Sequence, residues 1–242
     1  MDWISKEFVL EEPLSETEFR ESHLKSLLGD VVREIVDANE VWIETEVNLW
    51  KLRESRKWIP TDYLHPFEPD IDILCGPVVN GERSNPINAV ELKLFTHKEG
   101  RYPVIPKTRT GEGFYAGIGQ ALALLLNGVD YSWLWQVFLV PYKRWDSLSE
   151  TEEQFDHLLN QHVEWYSAYK GVMEGLLGVL SLPIGYRTFA LFLPDEDAGK
   201  GFLMYQPQKS RAAPRNPIYG NRTPSGIREL LCKRFGIAAQ LG

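Results

Sequence analysis

Hydrophobic residues near the start of the chain follow the period of a helix and then that of a strand. After a capping box formed by Ser15 and Glu18, apolar residues recur every three or four positions, at Leu24, Leu27, Leu28, Val31, Val32 and Ile35. This spacing predicts a helix from about Ser15 to Asp37. The next hydrophobic run, Val41–Val47, is rich in β-branched residues and predicts the first strand.

A second pattern, the alternation of acidic and apolar residues, predicts a strand over residues 69–74. Such a strand would hold Ile71 and Ile73 on one face and the carboxylates of Asp70 and Asp72 on the other. The glycine, proline and asparagine residues that follow are typical of turns. We therefore expect the chain to turn back in a hairpin.

The returning strand, Ala89–Phe95, also alternates and carries Glu91 and Lys93 on one side. In an antiparallel hairpin, Asp70 or Asp72 lies on the same side of the sheet as Glu91 and Lys93. Facing carboxylates on neighbouring strands repel each other by up to about 1 kcal/mol. A divalent cation bound between them would remove that cost, which makes this end of the sheet the candidate reactive end.

The rest of the chain is predicted to continue with helices and strands. The predicted elements are a helix from about Phe114 to Leu126, a buried strand Tyr131–Val140, a long helix beginning near Ser149, a strand Tyr186–Leu193, a short strand Phe202–Tyr205 and a closing helix from about Ser225 to Phe235. We expect one α/β domain over residues 1–242, built on a mixed sheet flanked by helices. Its core would span residues 15–140, and an α+β extension would span residues 141–242.

Composition and charge limit the setting in which the protein works. With 242 residues and a net charge of −8, the chain is typical of a globular protein and too acidic to coat nucleic acid without specificity. No apolar run approaches the roughly 20 residues that span a bilayer, and the start lacks a basic signal segment, so we expect a cytoplasmic protein without a membrane partner. Residues 200–242 contain eight Lys or Arg residues and one Glu. This polarity can direct a polyanion to one face, or it can be an ordinary solvated tail.

The residues available for metal binding favour a hard cation over zinc. Cys75 and Cys232 have no partner at zinc-ligand spacing and are expected to be free buried thiols, and no two histidines lie four residues apart. Carboxylates suit Mg²⁺ or Mn²⁺, which can acidify a bound water and neutralise charge on a phosphodiester. Lys93 beside that water would stabilise charge or act as a base, and nearby carboxylates favour the electrostatic role.

The segments Pro69–Asp70 and Glu91–Lys93 together resemble the motif of the PD-(D/E)xK nuclease superfamily, which includes restriction endonucleases and archaeal-type Holliday junction resolvases. The predicted order of elements over residues 15–140 is similar to the αβββαβ core of that family, which implies a restriction-endonuclease-like mixed sheet. Glu21 resembles the first-helix glutamate of the resolvase branch. Gln120 lies in the helix after the lysine strand, where many relatives carry a glutamine that faces the active site.

The resemblance implies a divalent-metal-dependent DNA endonuclease with Mg²⁺ or Mn²⁺ as its cofactor. The implied metal ligands are Glu21 (or Glu34 in its place), Asp70, Asp72 and Glu91, and the implied catalytic residues are Asp70, Asp72, Glu91, Lys93 and Gln120. Either Asp70 or Asp72 can correspond to the strand aspartate of the family. DNA would be the partner, a homodimer would fit the family, and the expected phosphate contacts are Lys98, Arg101, Lys107, Arg109, Arg211, Arg215 and Arg222.

Two rival hypotheses fit the same sequence. The nuclease fold can serve as a catalytically inactive module that binds nucleic acid or protein. A structural partner protein could instead assemble through surface aromatic residues, for which the candidates are Trp133, Trp135, Trp145 and Trp165. The motif residues would then be ordinary polar residues of half-buried strands.

Overall fold

The computed structural model shows a mixed α/β protein built on one strongly curled sheet. The structure describes residues 4–9, 19–48, 70–96, 107–108, 113–140, 167–195, 200–205, 211–217 and 225–238. Its strands are β1 Ile4–Val9, β2 Val41–Val47, β3 Ile71–Val79, β4 Glu82–Arg83, β5 Asn88–Thr96, β6 Lys107–Thr108, β7 Tyr131–Val140, β8 Gly185–Asp195 and β9 Lys200–Tyr205. Its helices are α1 Glu21–Leu27, α2 Gly29–Val32, α3 Ile118–Leu126, α4 over residues 167–179 and α5 Ser225–Phe235.

Among the described strands, seven lie side by side in the order β1-β9-β8-β7-β5-β3-β2, and two short strands extend the sheet, β4 beside β3 and β6 beside β5. Strands β5, β7 and β8 are parallel, and the other pairs are antiparallel. The strands of residues 141–242 thus continue the same sheet as those of residues 15–140. A parallel centre of this kind needs cover on both faces.

Helices supply that cover, because neighbouring residues of a strand point to opposite faces. On β7, Trp135 faces a cluster that includes Leu24 and Leu28 of the first helical segment. The next residue, Leu134, faces a different cluster, which holds Ala121 of α3 and Met173 of α4. The central strands are therefore buried on both sides.

Several predicted elements are confirmed by the structure. Strands β2 and β7 and helix α5 have the predicted bounds, and the hairpin strands β3 and β5 pair antiparallel as expected. Both cysteines are free thiols and Cys75 is buried as expected, whereas Cys232 is half-buried rather than buried. The part of the chain that the structure describes contains no helix long and apolar enough to cross a membrane.

The first predicted helix is shorter than its hydrophobic pattern. Helix α1 ends at Leu27, α2 covers Gly29–Val32, and the capping box at Ser15 lies outside the described residues. Gly29 weakens a continuous helix at this point, because glycine is a poor helix former. The hydrophobic period persists across the break, since both segments pack on the same face of the sheet.

Strand β3 continues through Gly76 to Val79, beyond the end predicted from the turn signals. A side chain at Gly76 would place its Cβ 2.8 Å from the carbonyl oxygen of Pro86 and 2.9 Å from the ring of Trp42. Gly76 therefore permits close packing within a strand and does not mark a turn. The turn itself follows at Asn80 and Gly81, both with positive φ.

Two further expectations were wrong. Ile71 and Ile73 do not share a face: Ile73 packs with α1, whereas Ile71 packs in a third cluster with Leu74. Glu46 of β2 has a φ of 55° and interrupts the pairing of β2 with β3 there, which breaks the regular alternation of side chains between the two faces.

Trp133 and Trp135 are 7% and 0% exposed, so they belong to the core and cannot form an assembly surface. Trp145 and Trp165 lie outside the described residues.

Candidate active site

Four of the predicted site residues, Glu21, Asp72, Glu91 and Lys93, meet where the ladder between β3 and β5 ends. The last backbone pair of that ladder is Ile73 with Val90. One position further along β3, Asp72 Oδ2 accepts a hydrogen bond of 2.8 Å from the backbone N–H of Leu92. The Asp72 carboxylate thus takes the place of a strand carbonyl and is held beside β5.

Glu21, the first residue of α1, repeats this contact one pleat further along β5. Its Oε1 accepts a hydrogen bond of 2.9 Å from the backbone N–H of Leu94. A carboxylate in the first turn of a helix is also favoured by the helix dipole. Burial raises the pKa of Glu21, and the backbone hydrogen bond and Lys93 oppose that rise. Two backbone amides on the same edge of β5 therefore each hold one carboxylate. Leu92 binds Asp72 of β3, and Leu94 binds Glu21 of α1.

Glu91 is the most deeply buried acid of the group. Its side chain is 1% exposed, and Oε1 lies 2.7 Å from Lys93 Nζ. Among the described residues, no donor makes a well-formed hydrogen bond to either oxygen of Glu91. Burial, followed by the charge of Asp72, raises the pKa of Glu91 to about 8, with a smaller rise from Glu21. The Glu91 carboxylate is thus held in a place where its charge is poorly compensated.

Two lysines balance part of this negative charge. Lys25 Nζ lies 3.1 Å from Asp72 Oδ1 and 3.5 Å from Glu46 Oε1. Burial would lower the pKa of Lys93, but Glu91, and then Glu21 and Asp72, outweigh it and hold that pKa above the usual value. Lys93 is therefore a cation at neutral pH.

The turn before α3 closes the other side of the cluster. Gly117 has a φ of 89°, and a Cβ at this position would lie 3.1 Å from Lys93 Cγ and 3.4 Å from Glu91 Cγ. Only glycine allows the backbone to come this close to both side chains. Gln120 is half-buried in the first turn of α3, one helical turn beyond Gly117.

Sequence reasoning missed Lys25 and Gly117. Lys25 lies four residues after Glu21, so both belong on one helix face, and this spacing was an available signal. Gly117 was part of a glycine-rich segment that carries no specific motif. Its role depends on how closely the turn approaches β5.

Other predicted residues lie apart from the cluster. Asp70 is exposed and precedes β3, so Asp72 is the strand aspartate that contacts the group. Glu34, the substitute for Glu21, instead accepts hydrogen bonds from Arg187 and Tyr205. It therefore does not replace Glu21.

The candidate phosphate-binding residues fall mostly outside what is described. The guanidinium of Arg211 donates hydrogen bonds to the carbonyl oxygens of Ile184 and Leu182, which ties it to the end of α4 and the start of β8. Arg215 is exposed, and Lys107 lies in β6. Lys98, Arg101, Arg109 and Arg222 are not among the described residues.

The donor set of the cluster suits a hard cation in its chemistry. Glu21, Asp72 and Glu91 offer carboxylate oxygens, the ligands that Mg²⁺ prefers, and neither Glu91 oxygen makes a well-formed hydrogen bond in the described structure. Within the same residues, no three His, Cys, Asp or Glu side chains already stand in the mutual arrangement of a metal site. Lys25 and Lys93 hold Asp72 and Glu91 instead, so metal binding would require these ion pairs to open.

Comparisons with protein-family models, with curated proteins and with solved structures found no match to this chain. The interpretation of the cluster therefore depends on its geometry and chemistry.

Proposed function

We propose that this protein is a divalent-metal-dependent DNA endonuclease of the PD-(D/E)xK type, which hydrolyses phosphodiester bonds in the cytoplasm. In support, the elements α1, β2, β3, β5, α3 and β7 occur along the chain in the αβββαβ order, with the short elements α2, β4 and β6 between them. In further support, β2, β3 and β5 form an antiparallel meander, and β7 joins β5 in parallel. These features favour the restriction-endonuclease-like core that the motif resemblance implies.

The observation that carries the proposal is the buried carboxylate of Glu91, which lies near two other acids, Asp72 and Glu21, and is paired with the ammonium of Lys93. A buried ion pair costs folding free energy when its two charges leave water, and apolar residues could fill the same core positions at a lower cost. Three separate elements supply these side chains, and two backbone hydrogen bonds fix two of them. A bound divalent cation would offset the repulsion between these carboxylates and would account for their position in one cluster of the fold.

In the proposed reaction, Glu21, Asp72 and Glu91 hold Mg²⁺ or Mn²⁺ through carboxylate oxygens. When bound, such an ion acidifies a water and neutralises charge on the phosphate. Lys93, kept protonated by the surrounding acids, stabilises the negative charge that grows on the scissile phosphate. Gln120, at the start of α3, orients Lys93 or the phosphate. Basic residues such as Lys98 and Arg215 contact the DNA backbone.

Cleavage of DNA by wild-type protein and two variants tests this proposal. Linear, circular, branched and single-stranded DNA are incubated with Mg²⁺ or Mn²⁺. Glu91→Gln and Lys93→Met should each lower the cleavage rate by at least about 10²-fold, a typical loss for one transition-state contact. Glu82→Gln, an exposed acid on β4, is the matched control and should cleave at the wild-type rate. Undiminished cleavage by both motif variants contradicts the proposal.

One observation favours the second candidate, a catalytically inactive binding module. Lys25 and Lys93 already engage Asp72 and Glu91, so the cluster can act as a structural ion-pair network. For such a module, no DNA is cleaved in either metal, and Glu91→Gln leaves the affinity for DNA or a protein partner unchanged in the presence of EDTA.

A further inference from the structure

A pocket of about 300 Å³ opens on the α1–α2 face of the sheet. Its wall includes Glu34 after α2, Asn88 at the start of β5, Tyr131 at the start of β7 and Arg187 of β8. The volume is at the small end of ligand-binding pockets, so it fits a compound of one or two rings. None of the motif residues Asp72, Glu91 and Lys93 lines it.

The side-chain amide of Asn88 has a hydrogen-bond partner for its oxygen but none for its nitrogen in the described structure. The indole Nε1–H of Trp133 donates to Asn88 Oδ1 at 3.1 Å. Because an indole N–H can only donate, this bond sets the orientation of the amide and leaves Nδ2 as a donor. Asn88 is 2% exposed, and its Nδ2 finds no acceptor among the described residues. Asn88 lines the pocket, so a ligand that packs against its side chain and supplies an acceptor would satisfy this buried donor.

The charges of the pocket favour a neutral ligand. Arg187 Nη1 lies 2.9 Å from Glu34 Oε2, and Tyr205 donates to the other oxygen of Glu34. The guanidinium also lies 5.9 Å from the ring centre of Trp135. Because the Arg187–Glu34 pair has no net charge, a charged ligand would lose its hydration in the pocket without gaining a counter-ion, which disfavours its binding. The Glu34 oxygens have lone pairs left and can accept one more hydrogen bond from a ligand N–H.

Two aromatic side chains, Tyr131 and Trp133, form part of the wall beside the aliphatic residues Ile35, Ala212 and Ala213. Tyr131 is half-buried, and Trp133 is 7% exposed. Flat aromatic surfaces favour a flat ligand that can stack or pack edge-on against them. We propose that the pocket bounded by Glu34, Asn88 and Tyr131 binds a small, neutral, planar heterocycle that carries a carbonyl oxygen and a ring N–H, as a nucleobase does.

Calorimetric titration with uracil and with guanosine tests this site directly. Wild-type protein should bind at least one of them saturably at ligand concentrations up to ~10 mM, a range that detects millimolar affinity. 1,3-Dimethyluracil keeps the ring and its carbonyls but has no ring N–H, so it should bind at least about tenfold more weakly. Saturable binding of uracil that 1,3-dimethyluracil matches, or no saturable binding of uracil and none of guanosine, overturns the proposal.

Variants locate the binding to this pocket. Asn88→Asp keeps an acceptor for Trp133 but replaces the Nδ2 donor with an oxygen, and Tyr131→Leu removes an aromatic wall. Each should weaken binding at least about tenfold, while Tyr115→Leu, at an exposed tyrosine outside the pocket, should not. If Asn88→Asp does not fold, Tyr131→Leu decides the question. Wild-type affinity in the variants that fold overturns the proposal. Glu91→Gln should bind as wild type does, so this site is tested independently of nuclease activity.

Discussion

Glu91 is the residue on which the candidate site depends most. Its carboxylate has lost nearly all contact with water, and Lys93 is the one cation within 2.7 Å in the described structure. Burial and the neighbouring acid Asp72 therefore make ionisation of Glu91 unfavourable, which raises its pKa to about 8. Ionised Glu91 therefore costs stability in the metal-free protein, and a bound cation would reduce that cost.

The raised pKa of Glu91 has a direct consequence for stability. Its folded pKa of about 8 exceeds the ordinary value of 4.5, so the folded state holds a proton that the unfolded state releases. The metal-free wild-type protein should therefore lose stability as the pH rises from about 4.5 to about 8. Glu91→Gln removes this loss and should gain more than about 1 kcal/mol relative to wild type between pH ~5 and pH ~9.

Urea unfolding in EDTA at several pH values measures this difference. Glu82→Gln, at an exposed acid, is the control and should follow the wild-type profile. A stability difference between wild type and Glu91→Gln that stays constant with pH would show that Glu91 ionises normally in the folded protein.

At the scale of elements, the site forms where three of them stop pairing regularly. The β3–β5 ladder ends at Ile73, helix α1 begins at Glu21, and the turn into α3 passes Gly117. The free amides of Leu92 and Leu94 then attract carboxylates, since buried backbone donors need acceptors. The ends of β3 and α1 thus hold Asp72 and Glu21 of the candidate site, whereas Glu91 and Lys93 lie on the part of β5 that pairs regularly with β7.

Gly117 gives a test at this scale. Its φ of 89° disfavours any other residue, and an alanine Cβ would lie 2.6 Å from Leu134 Cδ1 and 3.1 Å from Lys93 Cγ. Gly117→Ala should destabilise the protein by about 1–3 kcal/mol and displace Lys93, which lowers cleavage as well. Gly119→Ala is the matched control, because a Cβ there meets nothing within 4 Å and alanine is the better helix former. Equal stability of the two variants in urea unfolding would contradict the packing described for Gly117.

How much the sequence predicts depends on whether a signal is local. Strand β2 and helix α5 were predicted with their observed bounds, because period and composition are read within a single segment. Strand β1, over residues 4–9, was missed: it pairs with β9, nearly the whole chain away, and six residues carry little pattern of their own. Asp72 and Glu91 were predicted as partners, since hairpin pairing follows from the alternation. The ion pair between Lys25 and Asp72 joins a helix to a strand, so it cannot be predicted from either segment alone. Its one local signal is the four-residue spacing between Glu21 and Lys25.

At the scale of the whole molecule, a few long-range contacts join the last helix to the core. Arg228 of α5 donates to Asp130 Oδ2 at 3.0 Å and to the carbonyl oxygen of Gly128. Asp130 also accepts a hydrogen bond of 2.8 Å from the backbone N–H of Ile87, just before β5. Leu231 adds an apolar contact with the cluster around Leu74. Helix α5 is therefore part of the folded core next to the motif strands.

Removing the Arg228 side chain tests this connection. Arg228→Met would leave Asp130, which is 2% exposed, without its cation, so the free energy of unfolding should fall by about 3–5 kcal/mol. Urea unfolding at neutral pH measures the change. Lys233→Met, at an exposed basic residue of the same helix, should change stability by less than about 0.5 kcal/mol. Similar stability of the two variants would mean that the Arg228–Asp130 pair does not hold α5 in place.

The central claim is that Glu21, Asp72 and Glu91 together bind a divalent cation, and calorimetric titration with Mn²⁺ tests it most directly. Wild-type protein should bind Mn²⁺, Glu91→Gln and Asp72→Asn should each weaken that binding by at least about tenfold, and Glu82→Gln should leave it unchanged. Lys25→Met should strengthen it, because Lys25 competes for Asp72. No heat of Mn²⁺ binding in the wild type, or the same affinity in Glu91→Gln, contradicts the account.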